Sequence, residues 1–361
     1  MAQAGGLHPY VPGKPVEQLL REKGLTRAVK LASNENPYGP APSAITAIQK
    51  AAAEVHRYPN GDCTQLKQAL AERHGVSTNQ ILPGNGSNEV LELIIRCFAG
   101  PGDEVMYSER GFIVYALAAT AAGANGVPVP EADGLTHDLK GMLDAVNAHS
   151  KVICIANPNN PTGSLLPAAA LQNFLDKLPR NVVVVLDEAY HEYVQTAADL
   201  PDTPLHHPGL LICRTFSKAY GLAGMRIGYA FGDAELVSLI NRFREPFNVN
   251  LLAQQAALAA LGDTAWLQQT VAETLSERQR LEDFLLETGL LGAASHGNFV
   301  LLRHTDAGEI GRRLEDRGII PRPLGPYGMA EWLRISVGAP QENNIFMTTL
   351  ADLMQSMQDK P

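Results

Sequence analysis

The central part of the chain alternates between short apolar runs and helical patterns. Residues 151–156 (KVICIA), 182–187 (VVVVLD) and 209–216 (GLLICRTF) are hydrophobic almost throughout. Runs this short and continuous are typical of strands that are covered on both faces. Between the first two runs, residues 166–178 have apolar side chains spaced three and four apart, which predicts a helix. The alternation predicts βαβ units on a largely parallel sheet, and hence an α/β fold.

The domain organisation follows from length and from a change of pattern. A chain of 361 residues is longer than most domains that are built around a single hydrophobic core. We therefore expect a large and a smaller domain. A long amphipathic pattern from Thr264 to about Leu290, followed by apolar strand-like pieces, marks the smaller one. The start of the chain is rich in Pro and Gly and favours an arm. We predict an arm at 1–35 that joins the small domain, a large domain at 36–270 and a small domain at 271–361.

Charge limits the partners of the protein. Lys and Arg number 29 against 38 Asp and Glu, which gives a net charge of −9. This surplus repels nucleic acid and anionic membranes, so an anionic ligand would need local arginines. The sequence shows no apolar segment of membrane-spanning length, and its start lacks the pattern of a secretory signal. We therefore expect a cytoplasmic protein that binds neither nucleic acid nor membrane.

The four cysteines are widely spaced, and two of them lie inside apolar runs. They are Cys63, Cys97, Cys154 and Cys213. This spacing predicts neither a disulfide framework nor a metal site. We expect them to be small core residues.

Polar residues follow each of the apolar runs. Because a parallel sheet binds ligands beyond the carboxyl ends of its strands, these residues are candidates for function. They are Asn160, Asp187, Tyr190, Lys218 and Arg226. Upstream, the turn GNGS at 84–87 opens an apolar helix, where unpaired backbone NH groups can bind a phosphate.

Taken singly, each candidate has an ordinary structural explanation, such as a surface lysine, a strand-end cap or a chance glycine turn. Taken together they match pyridoxal 5′-phosphate (PLP) group by group. Asp187 can pair with the pyridinium nitrogen, while Tyr190 and Asn160 can bind the ring hydroxyl. Lys218 can react with the aldehyde, and Arg226 with the helix-end amides can bind the phosphate. The sequence predicts a PLP site.

Longer stretches around these residues resemble a known family. The segments NPNNPTG, LDEAY and TFSKAYGLAGMRIGY, in this order and spacing, resemble the fold-type I PLP-dependent aminotransferases. The resemblance implies that PLP lies between a large domain with a mainly parallel seven-stranded sheet and a smaller α/β domain. LASNENPYGP, RYPNGD and IIPRPLGPYGMAEWLRISVG further resemble the branch of this family that acts on histidinol phosphate.

The resemblance implies roles for the residues around PLP. Lys218 would bind the cofactor covalently and then act as the general base, which requires a lowered pKa. Asp187 would keep the pyridine nitrogen protonated, and Asn160 and Tyr190 would hydrogen-bond the phenolic oxygen. The phosphate would be held by Thr215, Ser217, Arg226 and the amides near Ser87 and Asn88. Phe112 would stack on the ring, unless it and Tyr115 are simply core aromatics.

Further residues would bind the substrate. Arg322 and Arg334 flank one loop, and the resemblance implies that they grip the substrate phosphate, although Arg322 alone could be a surface cation. Tyr10 would add a hydroxyl to the same phosphate, and Asn36 is a further substrate-binding candidate. Tyr58 would reach the PLP phosphate and the substrate of a neighbouring subunit, which implies a homodimer, unless it is only a surface loop tyrosine.

The resemblance implies an aminotransferase that passes the amino group of histidinol phosphate to 2-oxoglutarate. Aromatic amino-acid aminotransferases and O-phosphothreonine decarboxylases share every cofactor residue and remain alternatives. Aminotransferase-like domains also occur in DNA-binding regulators, but here the arm is too short and not basic. The expected partners are a small phosphorylated amine, a 2-oxo acid and a second copy of the chain.

Overall fold

The computed structural model describes residues 13–194 and 205–358. Strands and helices alternate along the central part of this range. The strands are β1 (Val29–Lys30), β2 (Ile81–Gly84), β3 (Glu104–Ser108), β4 (Asn125–Val129), β5 (Ser150–Ala156), β6 (Val183–Asp187), β7 (Leu210–Thr215), β8 (Gly228–Gly232), β9 (Leu291–Ala293), β10 (Phe299–Arg303), β11 (Ile319–Ile320), β12 (Arg322–Pro323) and β13 (Trp332–Ser336). The helices are α1 (Val16–Lys23), α2 (Pro42–Ala51), α3 (Thr64–His74), α4 (Ser87–Phe98), α5 (Val114–Ala122), α6 (Leu139–Ala145), α7 (Ala168–Leu175), α8 (Ala234–Asn241), α9 (Leu251–Gly262), α10 (Thr264–Glu287), α11 (Ala307–Asp316) and α12 (Pro340–Gln358).

Within the described residues, seven strands form the large sheet, in the order β2-β8-β7-β6-β5-β3-β4. The five strands from β7 to β4 run parallel, and β8 is antiparallel to both of its neighbours. The three apolar runs are the central strands β5, β6 and β7. This confirms the predicted α/β fold with a mainly parallel seven-stranded sheet.

Both faces of the large sheet are covered, which explains why its strands lack polar alternation. Along β5, Val152 and Cys154 pack in a core with α4 and α5. The intervening Ile153 and Ile155 point to the opposite face and pack in a second core with α6 and α7. Successive side chains of a strand point to opposite faces, so every position of such a strand must be apolar.

A smaller antiparallel sheet follows in the chain, in the order β12-β13-β10-β9. The arm strand β1 pairs in parallel with β11, with Val29 opposite Ile319. Leu31 of the arm packs in one core with Leu281 of α10 and Ile335 of β13. Helix α10 runs unbroken through residue 270, where the sequence suggests a domain boundary.

The cysteines are core or near-core residues, as expected. Cys63, Cys154 and Cys213 are buried, Cys97 is half-buried, and all four are free thiols. Over 13–194 and 205–358, no group of three or more His, Cys, Asp or Glu side chains could hold a metal ion. No helix in the described part of the chain is long and apolar enough to cross a membrane.

Candidate functional site

A cavity of about 190 Å³ opens where the large and small sheets meet. Its floor is formed at the carboxyl ends of β5, β6 and β7, by Ala156, Asp187 and Thr215. Twelve residues singled out from the sequence line it: Ser87, Asn88, Phe112, Asn160, Asp187, Tyr190, Thr215, Ser217, Lys218, Arg226, Arg322 and Arg334. Strand-end positions therefore converge here, as expected of a parallel sheet.

Lys218 follows β7 and is half-buried. Its Nζ donates a hydrogen bond of 3.0 Å to the carbonyl of Ser33 and lies 5.8 Å from the centroid of the Tyr190 ring. The pKa of Lys218 is lowered to about 7. Burial is the main cause, and the positive charge of Arg334 contributes. A lysine with such a pKa is partly neutral near pH 7, so it can act as a nucleophile or a base.

Asp187 ends β6 and is 4% exposed. Its Oδ2 accepts a hydrogen bond of 2.8 Å from the Tyr115 hydroxyl, and its Oδ1 accepts one of 3.2 Å from the backbone NH of Ala189. Burial raises the pKa of this carboxyl to about 6. A buried carboxylate that faces a cavity is stabilised by a cationic partner there.

Phe112 and Tyr115 play different parts in the structure. Phe112 lines the cavity, whereas Tyr115 is fully buried beneath it. Their rings meet edge to face with centroids 5.9 Å apart. The two aromatics are thus one pair, with Phe112 at the cavity wall and Tyr115 supporting Asp187.

One end of the cavity is built around Arg226 and the start of α4. Arg226 Nη1 donates to Ser217 Oγ at 3.4 Å and to the Ala223 carbonyl at 3.1 Å. Gly86, just before α4, has a φ of +82°, and a Cβ there would lie 2.5 Å from Arg226 Nη2. Glycine therefore allows both the turn and the close approach of the guanidinium. A cation, a hydroxyl and the unpaired NH groups of a helix start together suit a phosphate.

Tyr190 lies beside Lys218 and is 3% exposed. Its oxygen accepts a hydrogen bond of 2.9 Å from Asn34 Nδ2. Burial raises the pKa of Tyr190 to about 12, so the hydroxyl keeps its proton at neutral pH. Asn160, from the turn after β5, accepts a hydrogen bond from Arg334 through its Oδ1.

Arg322 and Arg334 come from neighbouring antiparallel strands, where they are direct register partners. Arg334 is 6% exposed and donates 2.8 Å from Nη2 to the Ala32 carbonyl, with its guanidinium 5.4 Å from the Phe299 ring. Like charges opposite each other destabilise a strand pair. An anion bound between the two arginines would offset this repulsion, so their placement suits an anion site.

Two described residues singled out from the sequence, Asn36 and Tyr58, do not line this cavity. Asn36 does not line it, because its Nδ2 donates to the Ala219 carbonyl at 2.8 Å and its Oδ1 accepts from the Tyr38 NH at 2.9 Å. Asn36 thus braces the loop beside Lys218, and its assignment to the substrate stays a prediction. Tyr58 is 83% exposed, and its ring stacks on Phe247 at 4.7 Å. Tyr10 lies outside the described residues.

The sequence reasoning missed the segment Ala32, Ser33 and Asn34, which lines the cavity. Its backbone carbonyls accept hydrogen bonds from Arg334 and Lys218, and its asparagine contacts Tyr190. The signal was present in the motif LASNENPYGP, but side-chain chemistry alone does not reveal a role for backbone carbonyls.

Comparison with known proteins gives a consistent result. Residues 26–350 match the family described as aminotransferase class I and II. Histidinol-phosphate aminotransferase 1 of Cupriavidus pinatubonensis is 47% identical over 352 residues, which cover 95% of this chain and 93% of the relative. Histidinol-phosphate aminotransferase 2 of Pseudomonas aeruginosa is 46% identical, with 98% of both chains covered. The crystal structure of histidinol-phosphate aminotransferase from Sinorhizobium meliloti, in complex with pyridoxal-5′-phosphate, superposes with a TM-score of 0.90 at 33% identity and covers 98% of this chain and 97% of that one.

Proposed function

The chain belongs to the class I and II aminotransferase family, and from this premise we propose that it transfers the amino group of L-histidinol phosphate to 2-oxoglutarate. The products are imidazole acetol phosphate and L-glutamate, in histidine biosynthesis, and the cofactor is PLP. The near full-length relatives support this reaction. The single structural observation that carries it is the pairing of Arg322 with Arg334 at the cavity that Lys218 lines.

The donor set of the cavity fits PLP. The phosphate would bind at Arg226, Ser217 and the start of α4, where the missing Cβ of Gly86 lets the Arg226 guanidinium approach the helix. Asp187 would hold the pyridine nitrogen, because a carboxylate whose pKa is raised by burial is stabilised by a cationic partner in the cavity. The remaining cofactor ligands would be Thr215, Ser87, Asn88, Phe112, Asn160 and Tyr190.

When bound, PLP supplies an aldehyde that carries the amino group and a ring that withdraws electrons from the substrate carbon. Lys218 would bind the cofactor and, once released, would take the proton from the substrate carbon that bears the amine. Its Nζ suits this task because its pKa lies near 7. Asp187 would keep the ring nitrogen protonated, which maintains the electron withdrawal, and the closed walls of the cavity would exclude water.

The substrate phosphate would be held by Arg322 and Arg334. Arg334 is already oriented by the Ala32 carbonyl and by Asn160, so little side-chain freedom remains to be lost on binding. Two guanidinium groups match the double charge of a phosphate ester better than the single charge of a carboxylate. Tyr10 would add a hydroxyl to this end of the site.

We further propose a homodimer in which Tyr58 completes the site of the partner subunit. Tyr58 is too exposed to serve its own cavity, and it lies in a patch of exposed apolar side chains with Phe247 and Val55. Exposed aromatic patches of this kind mark protein interfaces. Phe243 and Leu239, a few residues before Phe247 in the chain, are also exposed apolar side chains.

The domain division remains our proposal, with an arm at 1–35, a large domain at 36–270 and a small domain at 271–361. The two sheets support it, as does the pairing of β1 with β11, which joins the arm to the small domain. We also propose a cytoplasmic location, since the four cysteines are free thiols, as in a reducing compartment.

The test is a panel of half-reactions with purified, PLP-loaded protein. The substrates are L-histidinol phosphate, phenylalanine, tyrosine and O-phosphothreonine, and conversion of the cofactor is followed by its visible absorbance. We expect histidinol phosphate to react with the highest second-order rate constant, followed by regeneration with 2-oxoglutarate. A preference for phenylalanine would support the aromatic aminotransferase alternative, and release of carbon dioxide from O-phosphothreonine would support the decarboxylase.

A further inference from the structure

Asn34 is a buried residue at the centre of the site with an unusual backbone. It is 1% exposed and has a φ of +54°, in the left-handed region that few residues other than glycine adopt, asparagine being the most tolerant of them. Its backbone carbonyl accepts a hydrogen bond of 3.0 Å from Asn298 Nδ2. The contact with Asn298 involves only the backbone carbonyl, whereas the Asn34 side chain makes its own hydrogen bonds.

The Asn34 side chain lies between Ser336 and Tyr190. The backbone NH of Asn34 donates to Ser336 Oγ at 2.7 Å, and Ser336 Oγ donates in return to Asn34 Oδ1 at 2.9 Å. The amide Nδ2 then donates to the Tyr190 oxygen at 2.9 Å. The three residues form one hydrogen-bond chain that leads from β13 to the cavity.

The direction of this chain follows from counting protons. Turning the Asn34 amide over would place Nδ2 against Ser336, whose hydroxyl proton would then have no acceptor among the described residues. Ser336 is 3% exposed, and leaving a buried hydroxyl proton unpaired costs free energy. The observed direction satisfies Ser336 fully. Within the described residues it leaves two protons of the chain without an acceptor: the second amide proton of Asn34 and the hydroxyl proton of Tyr190, a residue that lines the cavity.

We propose that Asn34 and Ser336 are positioning residues that orient the Tyr190 hydroxyl, so that its proton is donated to the ring oxygen of the bound cofactor. Asn34 donates to one lone pair of the Tyr190 oxygen, so the Tyr190 proton points away from Asn34 and can be donated to a group in the cavity. This inference rests on the proposed function, because it requires PLP in the cavity.

The charges around Tyr190 are consistent with a hydroxyl that acts as a donor. Lys218 and Arg334 approach it from the loop after β7 and from β13, while Asp187 and Tyr327 contribute opposing effects from β6 and the loop before β13. Burial is the largest effect and, together with Asp187 and Tyr327, raises the pKa of Tyr190 to about 12, although Arg334 and the hydrogen bond from Asn34 lower it. The hydroxyl therefore keeps its proton at neutral pH.

Ser336 connects this chain to the substrate end of the site. It lies two residues after Arg334 on β13, so both side chains are on the same face of the strand. Asn34 likewise lies two residues after Ala32, which binds Arg334. The strand that carries the substrate arginine thus also orients the tyrosine that serves the cofactor.

The test measures the pH midpoint of the visible absorbance change of the PLP-loaded enzyme. A hydrogen bond to the ring oxygen disperses its negative charge and weakens its attraction for a neighbouring proton, so losing the bond raises the midpoint. We expect Tyr190→Phe to raise it by roughly 0.5–1 pH unit, the size of one hydrogen bond. Asn34→Gly, which keeps the positive φ, should raise it in the same direction, and Ser336→Ala should do so to a smaller extent.

A double-mutant cycle and a control make the test specific. In the Tyr190→Phe background, Asn34→Gly should produce no further shift, because the hydroxyl that it orients is absent. Asn298→Ala removes a hydrogen bond from the same segment without interrupting the chain, and should leave the midpoint unchanged. Thermal unfolding of each cofactor-free variant verifies that it folds.

The possible results separate the two proposals. If the wild type gains no visible absorbance that borohydride fixes to Lys218, the proposed function fails. If wild type behaves as expected but Asn34→Gly leaves the midpoint unchanged, or shifts it equally with and without Tyr190, the positioning role is wrong. An equal shift in Asn298→Ala would also overturn it, since any loosening of the segment would then suffice.

Discussion

Arg322 and Arg334 are direct register partners across the antiparallel pair β12–β13, and both line the cavity that contains Lys218. The strand β12 is only two residues long, and one of the two is Arg322. The register thus places the two arginines directly opposite each other on neighbouring strands. An anion bound between them would offset the repulsion of like charges, which is why we propose a phosphorylated substrate here.

Replacing Arg322 tests this link. We expect Arg322→Ala to lower kcat/KM for histidinol phosphate about tenfold to a hundredfold, because charge-assisted hydrogen bonds of roughly 1.5–3 kcal/mol are lost. The loss for phenylalanine or glutamate should be smaller. Arg303→Ala, on the same sheet but in an exposed ion pair with Glu331, is the matched control and should change kcat/KM less than twofold. Equal losses on phosphorylated and unphosphorylated substrates would contradict the assignment.

Lys218 should capture the cofactor in a pH-dependent way. The neutral amine attacks the aldehyde, so the rate at which cofactor-free protein binds PLP should rise with pH through about 7, where Lys218 titrates. Stopped-flow absorbance measures this rate. A lysine with its ordinary pKa of 10.5 would instead show the rise near pH 10. Lys218→Ala should abolish turnover almost entirely, whereas Lys50→Ala, at an exposed helix position, should not.

Asp187 should destabilise the cofactor-free protein in a defined pH range. Its folded-state pKa is raised from 3.8 to about 6, so the folded protein binds more protons than the unfolded chain between these values. Stability relative to the Asp187→Asn variant should therefore fall as pH rises from about 4 to 6 and stay lower above 6. By linkage the difference is on the order of 2–3 kcal/mol. Thermal unfolding of both cofactor-free proteins at pH 4 and pH 8 measures it.

The same Asp187→Asn variant should bind PLP more weakly, because an amide cannot pair with a protonated ring nitrogen as a carboxylate does. If the variant is more stable than wild type without cofactor but binds PLP more weakly, the buried charge of Asp187 serves function at a cost in stability. If the stability difference between wild type and Asp187→Asn is the same at pH 4 and pH 8, folding does not raise the pKa of Asp187 and the prediction is wrong.

Tyr58 provides a test of the shared site. If Tyr58→Phe is impaired, mixing it with Lys218→Ala should restore activity, since one of the two sites in a hybrid dimer then has both an intact lysine and an intact tyrosine. About a quarter of wild-type activity is expected after full exchange, because half of the dimers are hybrids with one working site each. Subunit exchange is verified with differently tagged chains. No recovery after proven exchange would place Tyr58 outside the neighbouring site.

Some features of this structure were readable from sequence because they rest on local patterns. The strands β5, β6 and β7 were predicted because burial on both faces requires continuous apolar runs. The residues that follow them were predicted because parallel strands deliver their carboxyl ends to one edge. The same logic cannot find β12, whose two residues carry no pattern.

The two asparagines of LASNENPYGP show where sequence reasoning reaches its limit. The sequence predicts a substrate role for Asn36, whose amide donates to the backbone near Lys218, and it gives no role to Asn34, which makes the contact to Tyr190. The two side chains are chemically identical. Their roles differ because Asn34 has a positive φ and meets a serine 302 residues away in sequence.

That sequence distance also sets the order in which the protein can be assembled during synthesis. Residues 32–34 leave the ribosome early, but the groups that Ala32 and Asn34 bind on β13 are made 302 residues later. The strands of the large sheet are all made by Gly232, before β12 and β13 are synthesised. A nascent chain that ends between these points therefore contains Lys218 and Asp187 but neither Arg322 nor Arg334.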